Sequence, residues 1–384
     1  MLFIALKMLV GDRLKYFALV LGVAFASLLI TQQASIFNGF ARQTGAWVRD
    51  SAVADLWVMD EQVEFTEDLK PMIDNQLNRV RGLPGVEWAV PIYKNFFNAV
   101  FSDGTRRNVR VIGIDDATLT GGPPQMVEGK IDDLRQDKAV IMDVAQADGP
   151  LMLKRNPGGP RPMRVGDRIS LNDNEAVVVG TFRSTKEFFW EPVFYTTYSR
   201  AKFLYKDQRK PLNYIMVKLR PGTSVQDVKA AVSQIRGIKA MTSDEFETMT
   251  QEWILRETGI LVNFGITIVL GLVIGLLVAG QTFYTFVLDN LKHFAALKAM
   301  GVTNFTAIKM LTLQTTVVAL VGYGIGVGVA SLSGMALKSG GLAFEMSWPI
   351  PFIGATAVML CCLAAGMLGI VRVIRLEPAM VFKS

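Results

Sequence analysis

Residues Tyr16–Phe37 read YFALVLGVAFASLLITQQASIF, an apolar run without a single charge. About 20 residues at 1.5 Å rise cross a hydrocarbon core of roughly 30 Å, so this run predicts a membrane helix. The long polar stretch Gly39–Thr258 follows it, and three further apolar runs then crowd together at Gly259–Leu288, Ile308–Leu332 and Pro349–Val371. The pattern predicts a membrane α-helical protein with four transmembrane helices in a one-plus-three arrangement around a large α+β extracytoplasmic domain. Composition agrees. A mean hydropathy of +0.32 with 51% hydrophobic residues is too apolar for an ordinary soluble chain, and 19% charged residues is too many for an all-membrane one. The expected divisions are a tail at 1–15, spans at 16–37, 259–288, 308–332 and 349–371, a domain at 38–258, loops at 289–307 and 333–348, and a tail at 372–384.

No small-x-small cleavage site follows the first run at a suitable distance, and Gln32, Gln33 and Ser35 suit an interfacial exit, so the run reads as an uncleaved helix. The net charge of +6 lies entirely in the membrane flanks: ten basic and four acidic residues fall outside Gly39–Thr258, which leaves the domain neutral with 30 of each. The basic balance therefore argues for membrane flanks and against nucleic acid as a partner. Lys7, Arg13 and Lys15 flank the first span; Lys292, Lys298 and Lys309 lie between the second and third; Arg372, Arg375 and Lys383 follow the fourth. The positive-inside rule places these three flanks in the cytoplasm and the large domain on the other side.

Within the domain, Asp55–Met59 reads as a strand and Thr66–Arg81 as a helix capped by Thr66. Val86–Phe101 reads as a strand turning at Ser102–Gly104 into Arg107–Ile114. A similar unit recurs at the end: strand Asn213–Leu219, helix Ser224–Ile235, strand Ile238–Met241, then a helix capped by Ser243 that is expected to run unbroken into the second span. Between the units, Gly149–Pro162 reads as an exposed loop, Val165–Phe182 as a hairpin around Asn172–Asn174, and Phe188–Trp190 with Phe194, Tyr195 and Tyr198 as a subdomain core.

The chain lacks G-x-x-x-x-G-K-[ST], so a P-loop ATP site is excluded. His293 is its only histidine and lies outside the domain, which excludes a histidine-dependent triad there. Asp115–Asp116 and Asp132–Asp133 read as turn residues rather than acid–base pairs. Cys361 and Cys362, the only cysteines, sit side by side in the fourth span and point to different helix faces, so the domain holds no disulfide and no cysteine-bound metal. No span has a charge near its centre, as a proton relay or ion path would need. Gly271 and Gly275 in the second span, and Gly322, Gly324, Gly326 and Gly328 in the third, stand at small-xxx-small spacings that let helix backbones approach closely.

The most specific stretch is DNLKHFAALKAMG, Asp289–Gly301. Leu291, Phe294, Leu297 and Lys298 recur at helical spacing and Gly301 stops the helix; taken alone it is a short amphipathic helix. Its end, Leu297–Gly301, resembles the E-[IFY]-x-x-L-[KR]-A-[LM]-G signature of FtsX-like and MacB-like ABC transporter permeases. The tail Arg375–Phe382 resembles that family's R-x-x-P-x-x-x-[LF] ending. The similarity covers the whole chain and is closest to the DevC-type branch, whose ATPase is a separate subunit; His293-Phe294 departs from the Glu-plus-aromatic pair of many members. The resemblance implies a permease dimer bound to two ATPase subunits in a bacterial inner membrane. It makes Asp289, Lys292, His293, Phe294, Leu297, Lys298, Ala299 and Gly301 parts of the ATPase-coupling helix. It also implies porter-like and sabre-like subdomains, mechanotransmission rather than passage of substrate through the bilayer, contact with membrane lipid, a HlyD-like periplasmic adaptor and a TolC-like outer-membrane channel. ATP and magnesium would sit in the partner ATPase, leaving this chain with no cofactor and no catalytic set. An FtsX-like relay to a cell-wall hydrolase and LolC/LolE-like lipoprotein release are the alternatives within the same topology.

Overall fold

The structure is a computed structural model that describes residues 2–51, 53–154, 159–187, 191–205, 212–339 and 342–374. It divides into two compact units, Met1–Ala41 with Thr258–Ser384, and Arg42–Glu257.

Among the described residues four helices are long and apolar enough to cross a membrane: Arg13–Thr44, Ile260–Asp289, Asn304–Lys338 and Pro349–Val371. A separate helix, Leu2–Gly11, precedes them in what the sequence offered only as a tail. The carbonyl of its Ala5 accepts a hydrogen bond from Gln314 Nε2 at 2.7 Å. That bond gives a partner to the buried Gln314 NH2, which would be costly to leave alone in an apolar bundle.

The first span is gripped by glycines. A methyl group built on Gly275 would lie 2.6 Å from Ala26 Cβ, and one on Gly322 would lie 2.8 Å from Val23 Cβ. One on Gly326 would sit 2.6 Å from Ser27 Cβ, and one on Gly271 would meet Leu29 Cβ at 3.3 Å. Ser27 uses that closeness, donating its hydroxyl to the Tyr323 carbonyl at 3.2 Å. Gly324 and Gly328 have no atom within 4 Å of such a methyl, so of the six glycines four pack and these two do not. The reason is periodicity: at 100° per residue, positions two apart point to nearly opposite sides of one helix.

In the second unit the strands are β1 (Leu56–Asp60), β2 (Val86–Phe101), β3 (Arg106–Ile114), β4 (Met126–Glu128), β5 (Ala139–Asp143), β6 (Met152–Leu153), β7 (Arg161–Pro162), β8 (Arg168–Leu171), β9 (Asn174–Phe182), β10 (Val193–Thr197), β11 (Tyr214–Leu219) and β12 (Ile238–Met241). The two similar sequence units join into one sheet, ordered β12–β1–β11–β2 with every neighbour antiparallel. Helices Asn75–Arg81 and Val225–Ser233 make the crossovers, giving a β-α-β-β-α-β split unit. Period-two alternation buries both faces of this sheet. Leu56, Val58, Ile215 and Val217 meet Val80, Val228 and Val232 from the helices, whereas Trp57, Met59, Tyr214 and Met216 meet Trp47 and Phe246.

Strand β2 is long enough to serve two pairings. Its first half pairs β11, and its second half pairs β3 and then β8. From there the pairings run β3–β10–β5–β9–β8 and back to β2, a closed ring of six strands. A closed ring leaves its members without an unpaired edge. The predicted hairpin is β8–β9, with Asn172 and Asp173 at positive φ as its tight turn requires. Phe194 and Tyr195 are buried on opposite faces of β10, as a subdomain core requires. Phe188–Trp190 and Arg375–Phe382 lie outside the described residues.

The stretch Gly149–Pro162, expected as an exposed loop, instead pairs β6 with β7 and buries Leu151 and Leu153. Three expectations about helices also fail for local reasons. The helix predicted from Thr66 begins only at Asn75, because Pro71 removes a donor and clashes with the preceding turn; Thr66 instead offers its carbonyl to Tyr214 Oη at 2.9 Å. The cap of helix Ser243–Glu257 is Thr242. Its hydroxyl accepts from the Glu245 N–H at 3.2 Å, and Glu245 accepts from the Thr242 N–H at 2.9 Å, a capping box. Ser243 accepts from Trp57 Nε1 at 3.1 Å. Nor does that helix continue into the second span: it stops at Glu257, and Gly259 adopts φ +65° before Ile260 starts the next.

Buried charge also organises this unit. Lys94 and Arg110 are wholly buried. Glu67 lies 2.6 Å from Lys94 Nζ and 3.3 Å from Arg110 Nε, Glu187 pairs with Arg110, and the Trp47 ring lies 3.9 Å from the Lys94 ammonium. Removing one member would strand the others without solvent, which costs about 3–5 kcal/mol in comparable clusters.

Gly326→Val should lower the thermal midpoint of the detergent-solubilised chain by several degrees, and Gly324→Val should leave it within about one degree. Tryptophan fluorescence on heating reads both, and equal shifts would refute the packing assignment. Burial raises the Asp143 carboxyl above its usual range, against the bonds it accepts from Ser184 Oγ at 2.7 Å and Ala145 N–H at 2.9 Å. The native state then holds this proton more tightly than the unfolded chain, so stability is lost as pH rises through that window. Asp143→Asn, which can keep both hydrogen bonds, should match the wild-type midpoint in acid and exceed it at neutral pH.

Candidate functional site

The loop between the second and third spans folds as helix Leu291–Ala299. Phe294, Ala295 and Leu297 face inward. Phe294 joins Leu9, Phe283, Phe286, Val287 and Leu311 in the main bundle core, and Leu297 packs with Ala5 and Met310. Burying each of these two side chains stabilises the helix by about 1.5–3 kcal/mol, more than a nine-residue helix gains from propensity alone. Lys292, His293, Ala299, Met300 and Gly301 are exposed, and Met300 is 74% accessible. Phe305, 64% accessible, follows at the start of the third span with Lys309 Nζ 4.5 Å from its ring centre.

The end of the helix is a Schellman motif. The Gly301 N–H donates to the Lys298 carbonyl at 3.0 Å and the Val302 N–H to the Leu297 carbonyl at 3.1 Å, with Val302 packing against the Leu297 cluster. Gly301 has φ +91°, a conformation that any side chain would strain. Thr303 then starts the third span, its carbonyl accepting from the Ala307 N–H at 3.1 Å and its hydroxyl from the Thr306 N–H at 3.3 Å.

The eight predicted coupling residues thus fall into three sets. Lys292, His293 and Ala299 lie on the open face. Phe294 and Leu297 anchor the helix, and Gly301 ends it. Asp289 and Lys298 bond within the bundle: Asp289 pairs with Lys15, and Lys298 Nζ lies 2.8 Å from the Val373 carbonyl oxygen. Two residues absent from the sequence prediction belong here. Met300 lies in the matched stretch but outside those eight residues, and Lys15 was missed because its partner is distant in sequence.

Elsewhere the aspartate pairs serve turns, as expected. Asp115 accepts from the Thr118 N–H and hydroxyl, both at 2.8 Å, and Asp133 accepts from the Lys130 N–H at 2.7 Å. Among the described residues no cluster of histidine, cysteine, aspartate and glutamate could hold a metal.

Comparison with known families matches residues 16–235 to the MacB-like periplasmic core domain and residues 265–378 to the FtsX-like permease C-terminal domain. The chain belongs to the MacB/FtsX family of ABC transporter permeases. The MacB-type match covers the first span and most of the unit inserted after it, hereafter the MacB-type domain, and the FtsX-type match covers most of the second span, the loop helix and the last two spans. An uncharacterized ABC transporter permease found in two strains of Mycobacterium tuberculosis is 25% identical over 370 residues, which cover 93% of this chain and 91% of the relative. The periplasmic region of MacB from Actinobacillus actinomycetemcomitans aligns over 52% of this chain and 94% of that one, at 13% identity and a TM-score of 0.38. The extracellular domain of the ABC-type transporter YknZ from Gram-positive bacteria aligns over 49% and 99%, at 12% identity and 0.36.

Gly301→Ala should fray the loop helix, because the left-handed conformation costs a residue with a Cβ about 1–2 kcal/mol. Amide exchange at Ala299–Val302 should quicken by at least fivefold while the third span keeps its protection. Unchanged exchange would show that this turn does not depend on the glycine.

Proposed function

We propose that this permease relays the ATP-driven motion of a separate ATPase subunit to its MacB-type domain without passing substrate through the bilayer. The observation that carries the reading is the loop helix. Its inner face is fixed in the bundle by Phe294 and Leu297, and its outer face presents Lys292, His293, Ala299 and Met300. An apolar side chain as exposed as Met300, in the loop outside the spans, suits a partner's socket. Anchoring at the inner face means that pressure on the outer face moves the spans rather than only the loop. A packed bundle with close glycine contacts and no charge near the centre of a span suits transmission of motion better than a polar channel.

The rest of the proposal follows the charge pattern and the family. The three lysine- and arginine-bearing flanks put both termini and the loop helix in the cytoplasm of a bacterial inner membrane, with the large domain periplasmic. The working unit is a permease dimer with two ATPase subunits, which supply the ATP site and its magnesium. Export proceeds with a HlyD-like periplasmic adaptor and a TolC-like outer-membrane channel.

The Met300→Glu, His293→Glu double variant should reach the membrane at wild-type levels yet lose the ATPase subunit on affinity purification, and export should fall by at least tenfold. A variant that still retains the ATPase and exports normally would refute this docking surface.

A further inference from the structure

The loop helix is bracketed at both ends by lysines that turn into the bundle. At its start, Asp289, the last residue of helix Ile260–Asp289, pairs with Lys15 at the base of the first span, and Lys15 also holds Asp12 at 3.0 Å. At its end, Lys298 reaches the fourth span, with Nζ 2.8 Å from the Val373 carbonyl oxygen and 3.2 Å from that of Ile374. Those carbonyls belong to helix Pro349–Ile374. An ammonium group donating to backbone carbonyls makes charge-assisted hydrogen bonds, and these tie the loop helix to the fourth span. Lys298 therefore points away from the open face on which Lys292 and His293 stand.

We infer that Lys298, Lys15 and Asp289 are positioning residues. They fasten the two ends of the loop helix to the fourth and first spans, so that a push on its outer face displaces both spans together. The inference rests on the reading of this helix as the ATPase contact, but it assigns a different task to the basic residue of the Leu-Lys-Ala-Met-Gly sequence: bonding to the backbone of a membrane helix inside the permease rather than touching the partner. The side chains of Lys15 and Asp289 are 35% and 46% exposed, and a pair so exposed contributes little to folding. Its removal should leave a folded chain in which coupling can be measured.

The test uses the full permease copurified with its ATPase subunit and reconstituted in liposomes. Lys298→Met and Asp289→Asn should each retain the ATPase in wild-type proportion while permease-stimulated ATP hydrolysis falls about tenfold. Lys298→Arg, which can still donate to these carbonyls, should recover at least half. The exchanged pair Lys15→Asp with Asp289→Lys should recover what each single change loses. Should Lys298→Met prove unfolded, Lys298→Gln, which keeps one donor for these carbonyls without the charge, takes its place with an intermediate loss expected. Release of the ATPase by either Lys298 variant would make this lysine a partner contact and overturn the inference, as would full coupling in every variant or failure of Lys298→Arg to rescue. If instead the Met300→Glu, His293→Glu variant keeps its ATPase bound and active, the docking reading fails, and with it the inference.

Discussion

Close backbone contact between the first span and the glycines of the second and third is the constraint on which the membrane unit depends. In a bilayer the hydrophobic effect does not drive helix against helix, because lipid tails are as apolar as the side chains they would replace. Association has to come from van der Waals contact and from hydrogen bonds made at short range. Gly271 and Gly275 on one side, and Gly322 and Gly326 on the other, bring the first span near enough for Ser27 to reach the Tyr323 carbonyl. The first span is separated from the others in sequence by the whole MacB-type domain, and these contacts make it part of the same bundle.

The loop helix is built on that bundle. Nine residues are too few to hold a helix in water, so its stability is borrowed from Phe294 and Leu297 in the cores beneath it and from the Schellman turn at Gly301. Almost every position of the family sequence then has a physical task. The leucine anchors, the lysine bonds to carbonyls of another helix, the alanine and methionine remain outside, and the glycine supplies a left-handed turn. A patch held this way is rigid without being buried, which a surface receiving force from another subunit requires.

The inserted domain solves a different problem. Two similar strand–helix–strand units, distant in sequence, interleave as neighbouring strands of one antiparallel sheet, and the long β2 carries that sheet into a closed six-stranded ring. Sharing one strand between two pairings makes the halves mechanically continuous. The Lys94–Glu67–Arg110–Glu187 cluster lies where the second half of β2 meets β3. Its carboxylates come from two irregular segments, which are therefore held by charge rather than by a backbone ladder.

The sequence by itself determined the four spans, the inserted domain, most strands and the location of the loop helix. Each of these is written in local periodicity: apolar runs for the spans, alternation for β2 and β11, helical spacing for Leu291–Lys298. Where a local signal was misread, a competing local rule had the stronger claim. Pro71 delays the helix predicted from Thr66, Thr242 rather than Ser243 forms the capping box, and Gly259 interrupts the helix expected to enter the second span. Only the tertiary structure decided which glycines pack, that Lys298 bonds to the fourth span, that Asp289 answers Lys15, and that the two outer units of the domain share a sheet. These depend on pairs of residues tens to hundreds of positions apart. A single sequence records which side chains are present, but the contact between two of them is set by how the intervening chain folds back.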